Sequence, residues 1–497
     1  MQPALRLQLA TAGALLLALV LGWQIASGNY LLALAGAGLL LLIALEWFGA
    51  PLPEALVVGF LLAGYLIGNR GFAQLSLVGN APLFLGEIGL GLGVGFLVVR
   101  GAIARRVPVE KDLFNAAAAA WIAVGCLRIW HDFGTWGAAA IRDFATIYYA
   151  GFFFITQAAM RHPGSAQWIR GCMTFGCIVL PLVSLLYNLA PDFFLETLTF
   201  RGVPLIYQKN DLVATFLFSA SFFLLSRPAG RRPWVKLSAV ASLFAGLAWL
   251  SRAGMLGLLV VTGGWSWARL WRPLKLLGVA ALIGVFGVGL DAAVGSRQFT
   301  DTKAYAVYEH VVSMFDFEGT RVYRSEESAD SGANNQFRQI WWKSVAEETW
   351  RANPLLGLGF GHNLAEGFVS AYGLRADDSF SARSPHSIVF TMIGRLGAVG
   401  LAAVLFVAAA LGMGMHSLLS AVRRPAPGVD RAAALDALGW WSVACVIFIS
   451  SCFGVVLEGP MGAVLFWSAL GAGNFERLRA LSPDGGTAHS PAAHNPS

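Results

Sequence analysis

The chain has 497 residues, of which 57% are hydrophobic and only 13% are charged, with a formal net charge of +7. Soluble domains carry about 25% charged residues, so this composition excludes a water-soluble globular protein. Apolar segments recur from end to end, and many approach the length of about 20 residues that a membrane-spanning helix needs. The sequence therefore predicts an all-α, polytopic transmembrane protein with a lipid bilayer as its solvent.

We expect about 12–14 membrane spans. The first is predicted to be a retained helix, because it is longer than a signal sequence, has no A-x-A cleavage site and is followed at once by another span. Residues 234–267 are too long for one span and contain Arg252, whose charge is costly at the bilayer centre. We therefore place a turn at 251–254 between two short helices. The predicted spans are 5–26, 30–48, 52–68, 83–100, 113–129, 139–160, 168–190, 209–226, 234–250, 253–270, 275–291, 387–415, 436–457 and 459–475.

Charge predicts the orientation of these spans. Two spans separate each basic loop from the next, so the basic loops share one side, which the positive-inside rule assigns to the cytoplasm together with both termini. Residues 292–385 hold nine Lys/Arg and twelve Asp/Glu, a net charge of −3 in a chain that is positive overall. This segment is predicted to be a large periplasmic loop. The basic balance then reflects membrane topology and predicts no nucleic-acid binding.

The same features divide the chain into four parts. We predict N-terminal transmembrane helices over 1–233, a core over 234–415 that includes the loop 292–385, C-terminal transmembrane helices over 416–476, and a disordered cytoplasmic tail over 477–497. All five cysteines lie in apolar stretches, which favours packing over disulfides. No cluster has metal-ligand spacing, so we predict neither a metal nor a cofactor.

The periplasmic loop contains an amphipathic pattern. Phe337, Ile340, Trp341 and Val345 fall on one face of a helix, which the pair Asn353-Pro354 is expected to end. The tryptophans suit a helix at the membrane interface, and equally a lid that packs on other helices.

Three glycines follow this helix in the segment GLGFG, at positions 357, 359 and 361. They do not follow a strand and lack the Lys-Ser/Thr of a phosphate-binding loop. We expect a flexible turn here instead of a nucleotide site.

His386 stands where the polar loop gives way to an apolar helix. Ser384 is a predicted N-cap and Pro385 suits the first helical position, which places His386 in the opening turn. Free N–H groups and the positive end of the helix dipole favour an anion there. A neutral imidazole can accept a proton from a hydroxyl group. The alternative is an interfacial histidine without chemistry.

Four cations are predicted near the same membrane surface, namely Arg252, Arg338, Arg201 and Lys209. Guanidinium groups bind phosphate bidentately and remain charged when desolvated. Each alone is compatible with a surface residue whose stem snorkels along apolar atoms. Convergence beside His386 would make a polyanion site, with Asp211 as a partner of Arg201 or Lys209.

Three segments together resemble the O-antigen ligase and O-antigen polymerase superfamily of bacterial envelope enzymes. They are LSRAGMLGLLV, FRQIWW…NPLLGLGFG and PHSIVFTMIGRLGAVGL. The last is similar to the family pattern of His, then Asn, Ser or Gln, nine residues and G-x-x-G, here from His386 and Ser387 to Gly397 and Gly400. The resemblance covers residues 243–405.

This resemblance implies a metal-independent, inverting glycosyltransferase of the bacterial inner membrane. It would move a glycan from undecaprenyl diphosphate to an acceptor hydroxyl on the periplasmic side. By position, His386 resembles the family's essential histidine and is expected to be the base, while Arg252 and Arg338 are expected to bind the diphosphate. We expect Arg201 and Lys209 to add diphosphate contacts.

The ligase and polymerase alternatives differ in the acceptor that they use. A ligase, the expected type, uses the lipid A core, whereas a polymerase uses a second lipid-linked repeat unit. Ser387 in place of the commoner Asn and the long stretch between Arg252 and Arg338 leave the two types open. A polyprenyl-linked glycan transporter would instead place charges along a central path. A non-catalytic assembly subunit would tolerate alanine at His386, and a protein oligosaccharyltransferase is expected to carry a large outer domain after the spans.

Overall fold

A computed structural model gives the fold of the chain. It describes residues 52–76, 84–105, 109–227, 232–249, 251–271, 273–279, 326–372, 383–425 and 427–481, together with isolated positions between 282 and 324. The predicted spans 5–26 and 30–48, most of the span 275–291, and residues 482–497 of the predicted tail 477–497 lie outside the described residues.

The described part is almost entirely helical, apart from a π-helical turn at Phe193–Thr197 and a two-stranded hairpin of β1 (Thr199–Phe200) and β2 (Val203–Pro204). The helices are α1 (Pro53–Ala73), α2 (Leu85–Ala104), α3 (Leu113–Trp136), α4 (Ala138–Asp143), α5 (Ala145–Tyr148), α6 (Gly151–Ala159), α7 (Pro163–Leu189), α8 (Asn210–Ser226), α9 (Pro233–Ala248), α10 (Arg252–Trp267), α11 (Glu326–Ala352), α12 (Glu366–Tyr372), α13 (Ile388–Arg423), α14 (Arg431–Ser451) and α15 (Pro460–Leu481).

Six of the described helices are long and apolar enough to cross a membrane: α1, α2 up to Ala102, α3, α7, α13 and α14. A bent pair, 138–148 with 151–159, adds a seventh candidate across a 41° break. The structure therefore has the predicted all-α, polytopic membrane fold. The predicted spans 209–226, 234–250 and 253–270 form shorter helices of 16 or 17 residues.

Helix α8 lies at the centre of the packing. Its residues are apolar around the whole circumference, and every one from Leu212 to Leu224 is buried. A helix with no polar face is stable when protein or lipid surrounds it. Here α9, α10, α14 and α7 pack against it. This arrangement fixes the start of α8, which follows directly after Lys209.

The break predicted inside residues 234–267 is confirmed. Helix α9 ends at Ala248 and α10 begins at Arg252, with Ser251 as its N-cap. The Ser251 hydroxyl accepts a hydrogen bond from the Gly254 N–H at 3.3 Å, which satisfies one of the free donors of the first turn. Arg252 is thereby placed at the start of a helix and not within one.

The amphipathic helix predicted in the loop is α11, and it ends before Asn353-Pro354 as expected. Trp341 and Val345 are fully buried in a small apolar cluster with Leu364, Ala365 and Phe368, and Phe337 packs on its edge. Ile340 was predicted on the same face, but it is 39% exposed. The face of α11 that packs is thus narrower than the apolar face predicted from the sequence. Helix α11 lies against α12 and α13.

Helix α13 contains a break at Gly397, whose φ of 61° and ψ of −143° are not helical. The chain after α11 fills the gap: the N–H of Ala398 donates to the Pro354 carbonyl at 2.9 Å. A Cβ at Gly397 would lie 2.6 Å from that carbonyl oxygen. Only glycine combines this backbone conformation with so close an approach.

We expect Gly397→Ala to destabilise the protein by about 1–3 kcal/mol, because it adds both left-handed strain and a clash. Gly412→Ala on the same helix is the matched control, since a Cβ there meets nothing within 4 Å. Thermal unfolding in detergent would show a lower midpoint for Gly397→Ala only. Equal midpoints for the two variants would contradict the tight packing at Gly397.

Candidate active site

His386 lies in a short turn before α13, and its backbone has a φ of 55°. Two tryptophans of α11 hold this turn. The ring of His386 packs on Trp341 with 5.6 Å between ring centroids, and the indole N–H of Trp342 donates to the Pro385 carbonyl at 2.7 Å. Positive φ is uncommon for residues other than glycine. The contacts with α11 therefore stabilise an unusual conformation at this histidine.

The predicted helix start at Ser384 is wrong. Helix α13 begins at Ile388 with Ser387 in the N-cap position, so His386 precedes the first turn and does not lie in it. The left-handed conformation of His386 turns the chain before the helix begins. Ser384, the predicted cap, instead lies with its hydroxyl 3.3 Å from that of Thr391.

Three charged side chains act on the His386 ring: Arg338, Lys209 and Asp211. Burial, followed by the positive charges of Arg338 and Lys209, lowers the pKa of His386 to about 4, and Asp211 opposes this effect. Protonation would put a third cation beside two others in a desolvated place. The imidazole is thus neutral at physiological pH and has a nitrogen free to accept a proton.

Arg338 extends from α11 toward the charged cluster around His386. One terminal nitrogen of its guanidinium donates to the Phe453 carbonyl at 2.8 Å, in the segment between α14 and α15. Its Nε is buried and has no hydrogen-bond partner among the described residues. Burial lowers the pKa of Arg338, but a guanidinium remains charged in proteins. An anion would satisfy the remaining donor and offset the charge.

Lys209 lies at the start of α8, where its backbone N–H donates to the Asn69 side chain at 3.2 Å. Burial lowers the pKa of its amine, and the nearby cations Arg70 and Arg338 lower it further, while Asp211 and Glu458 oppose them. Of the two partners predicted for Asp211, the structure supports Lys209. Neither Arg70 nor Glu458 was predicted as part of the site.

Arg252 is linked to the same cluster through α11. Its guanidinium donates to the Asn335 side chain at 2.7 Å, and Asn335 precedes Arg338 by one helical turn. Arg201 lies apart: it is exposed at the turn between β1 and β2, and its guanidinium is over the ring of Phe200. Neither Arg201 nor Arg252 is among the charges that act on His386.

The segment GLGFG differs from the flexible turn expected. Gly357, Gly359 and Gly361 are buried and have φ values of 71°, 92° and 96°. The backbone N–H of Phe360 donates to Asp132 at 2.7 Å, and that of Gly361 to Asp143 at 3.1 Å. The glycines permit a tight path between α3 and α13, and side chains hold it.

A buried ion pair secures this path. The guanidinium of Arg395, in α13, lies 2.8 Å from the Asp143 carboxylate and also donates to the carbonyls of Gly359 and His362. Arg395 was not predicted as part of the site. The signal was present, because an arginine inside an apolar helix is costly and marks a specific partner.

Residues 237–405 match the family model described as O-Antigen ligase, over about a third of the chain. This segment is therefore similar to O-antigen ligase domains. It confirms the resemblance drawn from the three sequence segments. A search of curated proteins finds no match to the chain.

The matched segment contains His386, Arg338 and Arg252, whereas Lys209, Asp211 and Glu458 lie outside it. The charged cluster around His386 is therefore assembled from this segment and its neighbours. Asp211 lies in the first turn of α8, Lys209 directly precedes that helix, and Glu458 lies in the segment before α15.

We expect His386 to titrate near pH 4 in the substrate-free protein. Lys209→Met removes a like charge and should raise this pKa, whereas Asp211→Asn removes an opposite charge and should lower it. Hydrogen–deuterium exchange at the imidazole C2, followed by mass spectrometry across a pH series, measures each pKa. A value of about 6.5, the ordinary pKa of histidine, in the unmodified protein would contradict the described charge cluster.

Proposed function

We propose that this protein is a membrane glycosyltransferase of the ligase type. It transfers a glycan from undecaprenyl diphosphate to a hydroxyl of the lipid A core, at the periplasmic face of the bacterial inner membrane. The observation that carries this proposal is the neutral, buried imidazole of His386 in the segment that matches the O-antigen ligase model, with the positive charges of Arg338 and Lys209 acting on it. Cations attract the diphosphate, and the imidazole accepts the proton.

In this proposal Arg338 and Lys209 bind the diphosphate of the donor. Charge-assisted hydrogen bonds to phosphate oxygens are strong, and the Nε of Arg338 is buried with no partner among the described residues. Arg252 begins α10 and donates to Asn335, which lies one turn before Arg338 on α11, so we propose that it extends the contact. Negative charge grows on the diphosphate as the sugar departs, and cations fixed in advance stabilise that charge most.

His386 is the proposed general base. The acceptor oxygen forms a bond to the anomeric carbon, the bond between that carbon and the diphosphate oxygen breaks, and the acceptor proton passes to the imidazole. Displacement in one step inverts the anomeric centre. General bases contribute about 10²–10⁴-fold to such reactions.

The pKa of about 4 for His386 belongs to the site without donor. A base is most effective when its pKa is close to the working pH. The diphosphate brings negative charge beside Arg338 and Lys209, offsets their repulsion of a protonated ring, and so raises the pKa of His386. Base strength is thus coupled to the presence of the donor.

Two observations favour the ligase over its rivals. The matching family model is described as a ligase, which supports a core acceptor over a second repeat unit. Lys209, Arg252 and His386 lie at or just before the starts of α8, α10 and α13, whereas a transporter places its charged residues near the bilayer midplane.

The test is to complement a deletion strain with variants and to separate its glycans by gel electrophoresis. We expect His386→Ala to lower transfer by at least about 10²-fold, with polymer accumulating on the lipid carrier and the core left bare. His416→Gln, at the other end of α13, is the matched control and should transfer normally.

Two results would contradict the proposal. Core capped by a single repeat unit in the deletion strain would indicate a polymerase. Normal surface glycan in the His386→Ala strain, with the variant present in the membrane, would remove His386 from the reaction.

A further inference from the structure

A polar cavity of about 260 Å³ lies beside the proposed active site. Its lining includes Arg142, Asp143, Arg383, Ser384, Thr391 and Glu458. A water molecule occupies about 30 Å³ of liquid, so the cavity has room for a group of several heavy atoms, such as one sugar residue. The proposed roles of His386, Arg338 and Lys209 do not use it.

Two connections join the cavity to His386. Ser384 precedes His386 by two residues, a stretch of chain that spans at most about 7 Å. Thr391 donates its hydroxyl hydrogen to the Glu458 carboxyl at 2.7 Å, and the charge of Glu458 also acts on Lys209. The cavity and the charged cluster around His386 therefore share a wall.

The arginines of this cavity differ in how many of their guanidinium donors are bound to other groups of the protein. Arg395 is buried and its terminal nitrogens are bound to Asp143 and to carbonyl groups, which makes it a structural element. Arg142 is exposed and lies 3.4 Å from Asp143. Arg383 donates to the Gly361 carbonyl at 2.6 Å and lies 3.6 Å from Asp143, but its Nε is buried without a partner in the described part of the chain. Two guanidinium groups thus retain donors for a ligand.

The balance of charge favours an anion. Three arginines line the cavity against two carboxyl groups, Asp143 and Glu458. Burial raises the pKa of Glu458, so its carboxyl group offsets the arginines less than an exposed carboxylate would. The hydroxyls of Ser384 and Thr391 add groups that can both donate to and accept from sugar hydroxyls.

We propose that this cavity binds an anionic sugar of the acceptor glycan, one that carries a phosphate or carboxylate, through Arg142 and Arg383. The inference rests on the proposed function and assigns a substrate subsite to it. The acceptor is favoured over the donor because Arg338 and Lys209 already serve the donor diphosphate. The acceptor hydroxyl must reach His386. The rest of the acceptor glycan would then extend past Ser384 into the cavity.

The experiment measures acceptor binding without turnover. The protein is reconstituted in nanodiscs, and the Kd is measured for core glycolipid purified from the deletion strain, either intact, dephosphorylated with hydrofluoric acid, or reduced at its carboxyl groups. We expect Arg142→Gln to weaken binding of the intact glycolipid about tenfold or more, because it removes a charge-assisted contact. Either dephosphorylation or carboxyl reduction of the glycolipid should weaken its binding to the unmodified protein by a similar factor. For that treated glycolipid, Arg142→Gln should cause little further loss of affinity.

Arg351→Gln is the matched control, since Arg351 is an exposed arginine on α11 that pairs with Glu347. It should bind the intact glycolipid normally. Arg142→Gln is preferred to a change at Arg383, because Arg383 also holds the Gly361 carbonyl and its loss could disturb the fold.

Three results would overturn the inference: normal acceptor binding by Arg142→Gln, equal binding of intact, dephosphorylated and reduced glycolipid, or a raised KM for the donor with an unchanged acceptor Kd. The last would assign the cavity to the donor. Failure of the proposed function would give a different result. A protein that binds the acceptor through Arg142 but transfers no glycan would contradict the proposed reaction and leave the acceptor subsite standing.

Discussion

A buried ion pair between Arg395 and Asp143 is the interaction on which the rest of the site depends. A charged guanidinium inside apolar helices is stable only when it is paired and hydrogen-bonded, and Arg395 has both the carboxylate and two carbonyl oxygens. Asp143 also accepts from the Gly361 N–H. The pair therefore fixes the chain between α11, which carries Arg338, and α13, which follows His386. The relative placement of cation and imidazole is set by this buried network.

The second constraint is electrostatic. Arg338 and Lys209 act on the buried imidazole of His386, and among the described residues the carboxylate that opposes them at this ring is Asp211. Such a site carries a standing excess of positive charge, which costs stability unless an anion is bound. A preorganised cationic site of this kind stabilises charge that develops during a reaction without further rearrangement. In the proposed function, the same excess charge recruits the donor, stabilises the leaving group and keeps the base deprotonated.

The sequence predicted local features well and long-range polar contacts poorly. The turn at Arg252 follows from the cost of a buried charge, and the end of α11 follows from Asn353-Pro354; both are confirmed. The left-handed backbone of His386 was not predictable, because the Trp341 and Trp342 contacts that stabilise it come from another helix. The bond from Gly361 to Asp143 joins residues 218 positions apart, and no local pattern encodes such a separation.

Direct binding of the lipid carrier tests the central claim, that the cluster around His386 recognises a polyprenyl diphosphate. Native mass spectrometry of the protein in nanodiscs would compare undecaprenyl diphosphate with the uncharged undecaprenol, for the unmodified chain and for Arg338→Gln. The account predicts that the diphosphate binds far more tightly than the alcohol, and that Arg338→Gln removes most of this preference. Equal binding of the two lipids, or an undiminished preference in Arg338→Gln, would contradict it.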